Sequence, residues 1–307
     1  MHIPDGFVSP PVAVVTALAS VAAVSVALQR SRDAFGVRRA PVLGLTTAFI
    51  FAAQMINFPV AGGTSGHLLG GTLAAVVLGS PWAGTLCIVT VLIIQAVLFA
   101  DGGITALGAN SFNMAVIGVW VGWTLTQTLQ RLFGGSRGRL PLAAGIAAGI
   151  SVVAAAVVAA VELALSGTAP PTVVLPAMTG VHILIGIGEG LITSGVLSYL
   201  ATARPDLLPG EQQEFQGWLV PAISILLIAG VFSLIASAWP DGLEKVAEDL
   251  GFIKLADNVR VAVPTPLADY GIEGFGLLGT SIAGLIGSAV CFGVAFGIAQ
   301  LVKPKHA

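Results

Sequence analysis

Residues 81–100 read PWAGTLCIVTVLIIQAVLFA, twenty consecutive residues without one Asp, Glu, Lys or Arg. A helix of that length rises about 30 Å, the thickness of the hydrocarbon core of a bilayer. Similar stretches lie on both sides of it. Over all 307 residues the mean hydropathy is +0.95 and charged residues make up 9%. A soluble domain of this size has no interior large enough for so much apolar surface. Lipid offers no partners to a bare backbone, so the apolar runs are predicted to be helices. The expected fold is an all-α polytopic membrane bundle. The net charge of −2 carries no basic footprint for nucleic acid. Cys87 and Cys291 both fall in apolar runs and read as packing residues.

Nine spans are predicted, at about 10–29, 41–60, 67–79, 81–100, 108–130, 140–165, 178–201, 217–238 and 274–302. They amount to seven helices plus two at the C-terminal end. The third is short and joined tightly to the fourth through Gly79-Ser80-Pro81, so eight is the competing count. Lys and Arg placement orients them. With the N-terminus outside, Arg30, Arg32, Arg38, Arg39, Arg131, Arg137, Arg139, Arg204, Lys303 and Lys305 fall inside. Only Lys245, Lys254 and Arg260 fall outside, so ten of the 13 basic residues share one side. The expectation is N-terminus out and C-terminus in. A cleaved signal peptide is the alternative for the first span, but no basic residue precedes the apolar run and the cluster follows it. Met1 is therefore expected to stay at the outer surface.

On that topology three unusual segments meet on the outer face: Met1 to Ser9, Ala61-Gly62-Gly63-Thr64-Ser65-Gly66-His67, and Asp101-Gly102-Gly103. The chain has four histidines, His2, His67, His182 and His306. A terminal amine, the His2 amide nitrogen and the His2 imidazole can close two fused chelate rings on one ion, with His67 as a fourth donor. Four coplanar nitrogens favour Ni(II) or Cu(II) and admit Co(II). Asp5, Asp101, Asn110 and Asn113 are candidates for a surrounding polar shell, Asp5 as an acceptor orienting an imidazole and the asparagines as braces for the folded-in terminus. Taken alone, these residues also allow a solvated terminal His2, a structural His67, and asparagines that only cap or bridge helices.

Three motifs add to this: Met1-His2-Ile3-Pro4-Asp5-Gly6-Phe7 with Ser9-Pro10, Ser65-Gly66-His67-Leu68-Leu69-Gly70-Gly71, and the run from Asp101 through Gly108-Ala109-Asn110. In order, they resemble the CbiM/NikM family over about residues 1–205. These are the substrate-capturing membrane components of energy-coupling-factor transporters for cobalt and nickel. The resemblance implies Met1, His2 and His67 as metal ligands, Ni²⁺ or Co²⁺ as transported substrate with no prosthetic group, and as partners a transmembrane coupling subunit with two ATPases. Ligands that must be deprotonated imply weaker binding in acid. Pro240-Asp241-Gly242-Leu243-Glu244 resembles the motif of the PDGLE domain, a two-span accessory like the small CbiN/NikN subunits. The polar stretch from Arg204-Pro205-Asp206 to Glu214 reads as a linker, giving expected domains 1–205 and 206–307.

No G-x-x-x-x-G-K-[ST] sequence occurs, so energy for uphill transport must come from other chains. An intramembrane metal-dependent enzyme is the alternative class; it would need a general base beside the ligands, and no H-E-x-x-H motif supplies one. His182 and Glu189, seven apart on one helical face with Glu162 a possible neighbour, could relay a proton or ion; the alternatives are a satisfied interhelical pair or a Glu189 neutralised by burial. Small-residue stripes at Gly145 and Gly149, at Gly276, Thr280, Gly284 and Ser288, and at Ala19, Ala23 and Ala27 predict close helix packing or docking of a partner.

Overall fold

The computed structural model describes residues 1–31, 40–209, 217–258 and 265–302. In order, the elements are α1 (Pro10–Arg30), α2 (Ala40–Gln54), β1 (Phe58–Val60), β2 (Thr64–Gly66), α3 (Gly71–Leu78) and α4 (Pro81–Ile94). They continue with α5 (Leu107–Asn110), α6 (Val119–Leu132), α7 (Leu140–Leu165), α8 (Pro171–Ala203), α9 (Leu219–Gly230), α10 (Gly242–Asp249) and α11 (Gly276–Val302). Two π-helical segments, Gln95–Phe99 and Ser111–Gly118, extend α4 and join α5 to α6. Among the described residues, five helices are long and apolar enough to cross a membrane: α1, α4 with its π-helical extension to Phe99, α7, α8 and α11. The chain is a multi-pass helical membrane protein.

Three expected spans differ in their details. The second stops at Gln54, not at residue 60, because residues 58–60 pair antiparallel with 64–66 and Pro59 cannot continue a helix. The third is a helix of only eight residues, α3, which rises about 12 Å and cannot cross a bilayer alone. His67 to Gly70 lie before it in non-helical chain. Gly70 has φ 77°, and a Cβ there would come within 2.6 Å of Ile50. The eighth, expected over 217–238, breaks at Gly230 into a 3₁₀ turn, Phe232–Ile235.

All eight residues of α3 are buried, so it forms the centre that the other helices surround. α7 and α8 make the closest pair, and the glycine stripe explains why. A Cβ on Gly149 would stand 2.7 Å from the Gly186 carbonyl oxygen, and one on Gly190 2.7 Å from that of Gly145. Bare backbone on both helices is what lets them approach. In the α11 stripe, Gly284 meets α9 similarly, with a Cβ there 2.8 Å from the Ala229 carbonyl oxygen. Of the α1 alanines only Ala27 is buried, while Val14, Val15, Leu18 and Val21 are exposed, as suits a lipid-facing helix. Arg32, Arg38, Arg39, Arg260, Lys303, Lys305 and His306 lie outside the described residues, as does the linker stretch 210–216.

Candidate metal centre

Residues 1–9 do not trail into solvent. Met1, His2, Ile3 and Phe7 are all buried, with Ile3 and Phe7 each 1% exposed. Asn110 holds Ile3 from both sides: its Oδ1 accepts from the Ile3 N–H at 2.7 Å and its Nδ2 donates to the Ile3 carbonyl at 3.0 Å. The Gly103 N–H donates to the same carbonyl at 2.9 Å. Gly103 must lack a side chain, since a Cβ there would fall 2.3 Å from the Asp5 nitrogen. Further on, the Ser9 N–H donates to Ser166 Oγ at 2.9 Å. The terminus is thus laid into the bundle by backbone contacts.

That path brings the first residue to His67. The Met1 nitrogen lies 3.0 Å from His67 Nε2. The rings of His2 and His67 stand edge to face with centroids 5.0 Å apart. His67 Nδ1 pairs with the Leu68 carbonyl at 3.0 Å, which leaves its Nε2 lone pair facing the amine. Behind His67, Glu189 of α8 accepts from the Leu69 N–H at 2.6 Å and the Gly70 N–H at 2.9 Å. A fully buried carboxylate therefore caps the start of α3 and anchors the His67 loop. Glu189 does not pair with His182, whose Nδ1 bonds the Met178 carbonyl at 2.8 Å.

Asp101 pairs with His2 Nδ1 at 2.5 Å through Oδ1, while its Oδ2 accepts from the Tyr270 hydroxyl. His2 Nε2 is buried and has no hydrogen-bond partner among the described residues. The π-turn at Gln95–Phe99 ends in Ala100 at φ 56°, and this turns Asp101 toward the site.

Two expected shell residues serve elsewhere. Asp5 does not orient an imidazole; its Oδ1 accepts from the Thr105 N–H at 2.7 Å, because Gly103 presses the loop onto it. Asn113 does not reach the terminus; its Nδ2 donates to Glu162 at 2.7 Å inside the bundle.

Two residues of the tail enter the site, and spacing along the chain gave no sign of either. Asp241 makes an ion pair with the Met1 ammonium through Oδ2, and its Oδ1 caps α10 by accepting from Leu243 and Glu244 N–H groups at 2.7 and 2.9 Å. Glu244 closes a capping box by accepting from the Asp241 N–H at 3.0 Å. The tail is fastened beside His67 through the Ser65 N–H, which donates to the Pro240 carbonyl at 2.8 Å. Tyr270 supplies the hydroxyl on Asp101.

The electrostatics follow. Burial, the Met1 ammonium and His2 together lower His67 to about 3. Burial alone would raise Asp101, but His2 and the Tyr270 hydrogen bond outweigh it and hold the carboxyl at about 2. Asp241 is likewise held well below the usual carboxylate range, where the Met1 and His67 charges overcome its burial. Among the described residues no three His, Cys, Asp or Glu side chains form a group that could hold a metal ion.

A family model described as the cobalt uptake substrate-specific transmembrane region, CbiM, matches residues 2–207. The chain belongs to the CbiM family. The PDGLE domain model matches residues 215–304 of this CbiM-family chain. A NikMN-type relative from Archaeoglobus fulgidus is 39% identical over 99% of each chain. A fused nickel transport protein NikMN from Rhodobacter capsulatus is 36% identical over 83% of this chain and 80% of its own length. The crystal structure of a truncated transition metal transporter superposes with a TM-score of 0.60 at 38% identity, covering 66% of this CbiM-family chain and 98% of that one. These relatives are named as transport proteins, not enzymes.

Proposed function

We propose that the chain captures Ni²⁺ or Co²⁺ at the outer face of the membrane through the Met1 amine, the His2 amide nitrogen, the His2 imidazole and the His67 imidazole. On this reading the N-terminus lies outside and the C-terminus inside. A transmembrane coupling subunit and two ATPases supply the energy for import. The names of the relatives support nickel or cobalt as cargo. The observation that carries the reading is the 3.0 Å approach of the Met1 nitrogen to His67 Nε2, with the His2 ring against the His67 ring.

Chelation by the His2 amide and its own ring closes through Nδ1, since Nε2 cannot reach back to the same ion. Nδ1 here faces Asp101. A half-turn about Cβ–Cγ would carry Nδ1 to the opposite edge of the ring and bring Nε2 round toward the Asp101 side, where an N–H on it would suit the carboxylate. Asp101 then orients the bound ring, as outer acceptors orient metal-ligating imidazoles. Asp241 must also give up the Met1 amine as the nitrogen loses a proton and takes the ion. The test compares Ni²⁺ and Co²⁺ affinity of the purified chain with that of a chain carrying one residue before Met1. The expected result is loss of tight binding on extension; equal affinity in both would refute the terminal-amine site.

A further inference from the structure

Beside the Met1–His67 contact lies a small cavity of about 10 Å³, lined by Met1, His67, His182, Asp241 and Gly242 among others. This is room for one particle the size of a water molecule. His182, within α8, is 1% exposed, and its Nε2 has no hydrogen-bond partner among the described residues. Its Nδ1 pairs with the Met178 carbonyl at 2.8 Å, so the neutral ring carries its lone pair on Nε2. His67 is held the same way, with Nδ1 on the Leu68 carbonyl and Nε2 facing the Met1 nitrogen beside the cavity. Spending one ring N–H on a backbone carbonyl is how proteins present an imidazole to a metal.

A histidine that served packing alone would pair its second nitrogen, because a buried polar atom without a partner costs folding free energy. The glycine of the tail motif keeps this one uncovered. A Cβ at Gly242 would stand 2.9 Å from His182 Cε1 and 3.1 Å from Nε2. Asp241, the residue before it, brings a carboxylate to the same cavity.

We propose that His182 Nε2 and the Asp241 carboxylate form a second, inner position for the divalent transition-metal ion, next to the four-nitrogen set. The proposal rests on that set being the capture site. An imidazole and a carboxylate hold such an ion less tightly than four nitrogens, which suits an ion in passage. It also gives the PDGLE segment a chemical task, since Asp241 exchanges the Met1 ammonium for the moving ion.

The experiment uses the full chain with one residue added before Met1 and measures Co²⁺ binding by equilibrium dialysis. The expected result is residual binding weaker than that of the unextended chain, weakened further by about tenfold or more in His182→Ala. Residual binding unchanged by His182→Ala overturns the inner position, and so does the lack of any residual binding. Tight binding that survives the extension refutes the four-nitrogen capture site instead, so the two failures are distinguishable. His182→Ala also removes a buried ring, so a second readout keeps the native side chains. The extended chain is loaded with Cu²⁺, treated with ascorbate in air, and searched by mass spectrometry for 2-oxo-histidine. Oxidation of His182 is expected; oxidation of His67 with His182 intact overturns the proposal.

Discussion

The Met1 nitrogen and His67 Nε2 stand 3.0 Å apart although 66 residues separate them. Neither group could hold that distance alone, because a free chain end gains entropy by leaving. The Asn110 clamp on Ile3 and the Glu189 anchor behind Leu69 and Gly70 hold the two ends of the contact. On the proposed capture site, donors placed in advance would bind with less ordering cost.

On the proposed capture site, His67→Ala removes the one donor that does not come from the first two residues. Ni²⁺ and Co²⁺ affinity of the purified chain should fall by about tenfold at the least, by analogy with the loss of groups that merely support a metal ligand. Titration calorimetry checks this. Affinity equal to wild type would move the site away from His67.

Glu189→Ala tests the anchor. It leaves the Leu69 and Gly70 N–H groups buried without an acceptor, at about 1–3 kcal/mol each. The thermal midpoint should drop and metal affinity with it, while Glu189→Gln, which keeps one acceptor oxygen, should fall between. If Glu189→Ala lowers the midpoint and leaves affinity untouched, the His67 loop is positioned from elsewhere.

Much of this was legible in the sequence. The uncharged run at 81–100 announces a membrane bundle. His2 and His67 were paired by placing both on one face. The limits are equally physical. Residues 67–70 look like the start of an apolar span, yet they run as non-helical chain after 64–66 have paired with 58–60, because Pro59 and the left-handed Gly70 decide locally. Asp5 and Asn113 are polar and near the right depth, but which partner each reaches depends on loop path. Asp241 and Tyr270 lie far along the chain from the residues they touch. The PDGLE motif pointed to the segment without showing that its aspartate meets the first amine.

The pH dependence of stability has a definite sign. His67 falls from an ordinary value of 6.5 to about 3 in the folded chain. Below about pH 6.5 the unfolded chain takes up a proton that the folded chain refuses, so stability declines as pH falls toward 3. The metal-free protein in detergent should therefore show a falling thermal midpoint from pH 7 to pH 4. His67→Ala should flatten part of that slope. A slope identical in the variant would assign it to other groups.

Asp101 decides how His2 is used. In the structure it accepts from His2 Nδ1 at 2.5 Å and from the Tyr270 hydroxyl, and its negative charge is secure because the carboxyl is held at about 2. If the ring turns so that Nδ1 takes the ion, the same carboxylate receives the N–H of Nε2 and makes the imidazole a better donor. Asp101→Asn keeps the size and an acceptor oxygen but removes the charge. Metal affinity should then fall by about tenfold or more, as with other outer partners of metal-bound histidines. The alternative is that Asp101 only holds the ring in a non-binding pose, and then Asp101→Asn would raise affinity by freeing Nδ1. Measuring Ni²⁺ affinity in this variant separates the two, because they predict opposite signs.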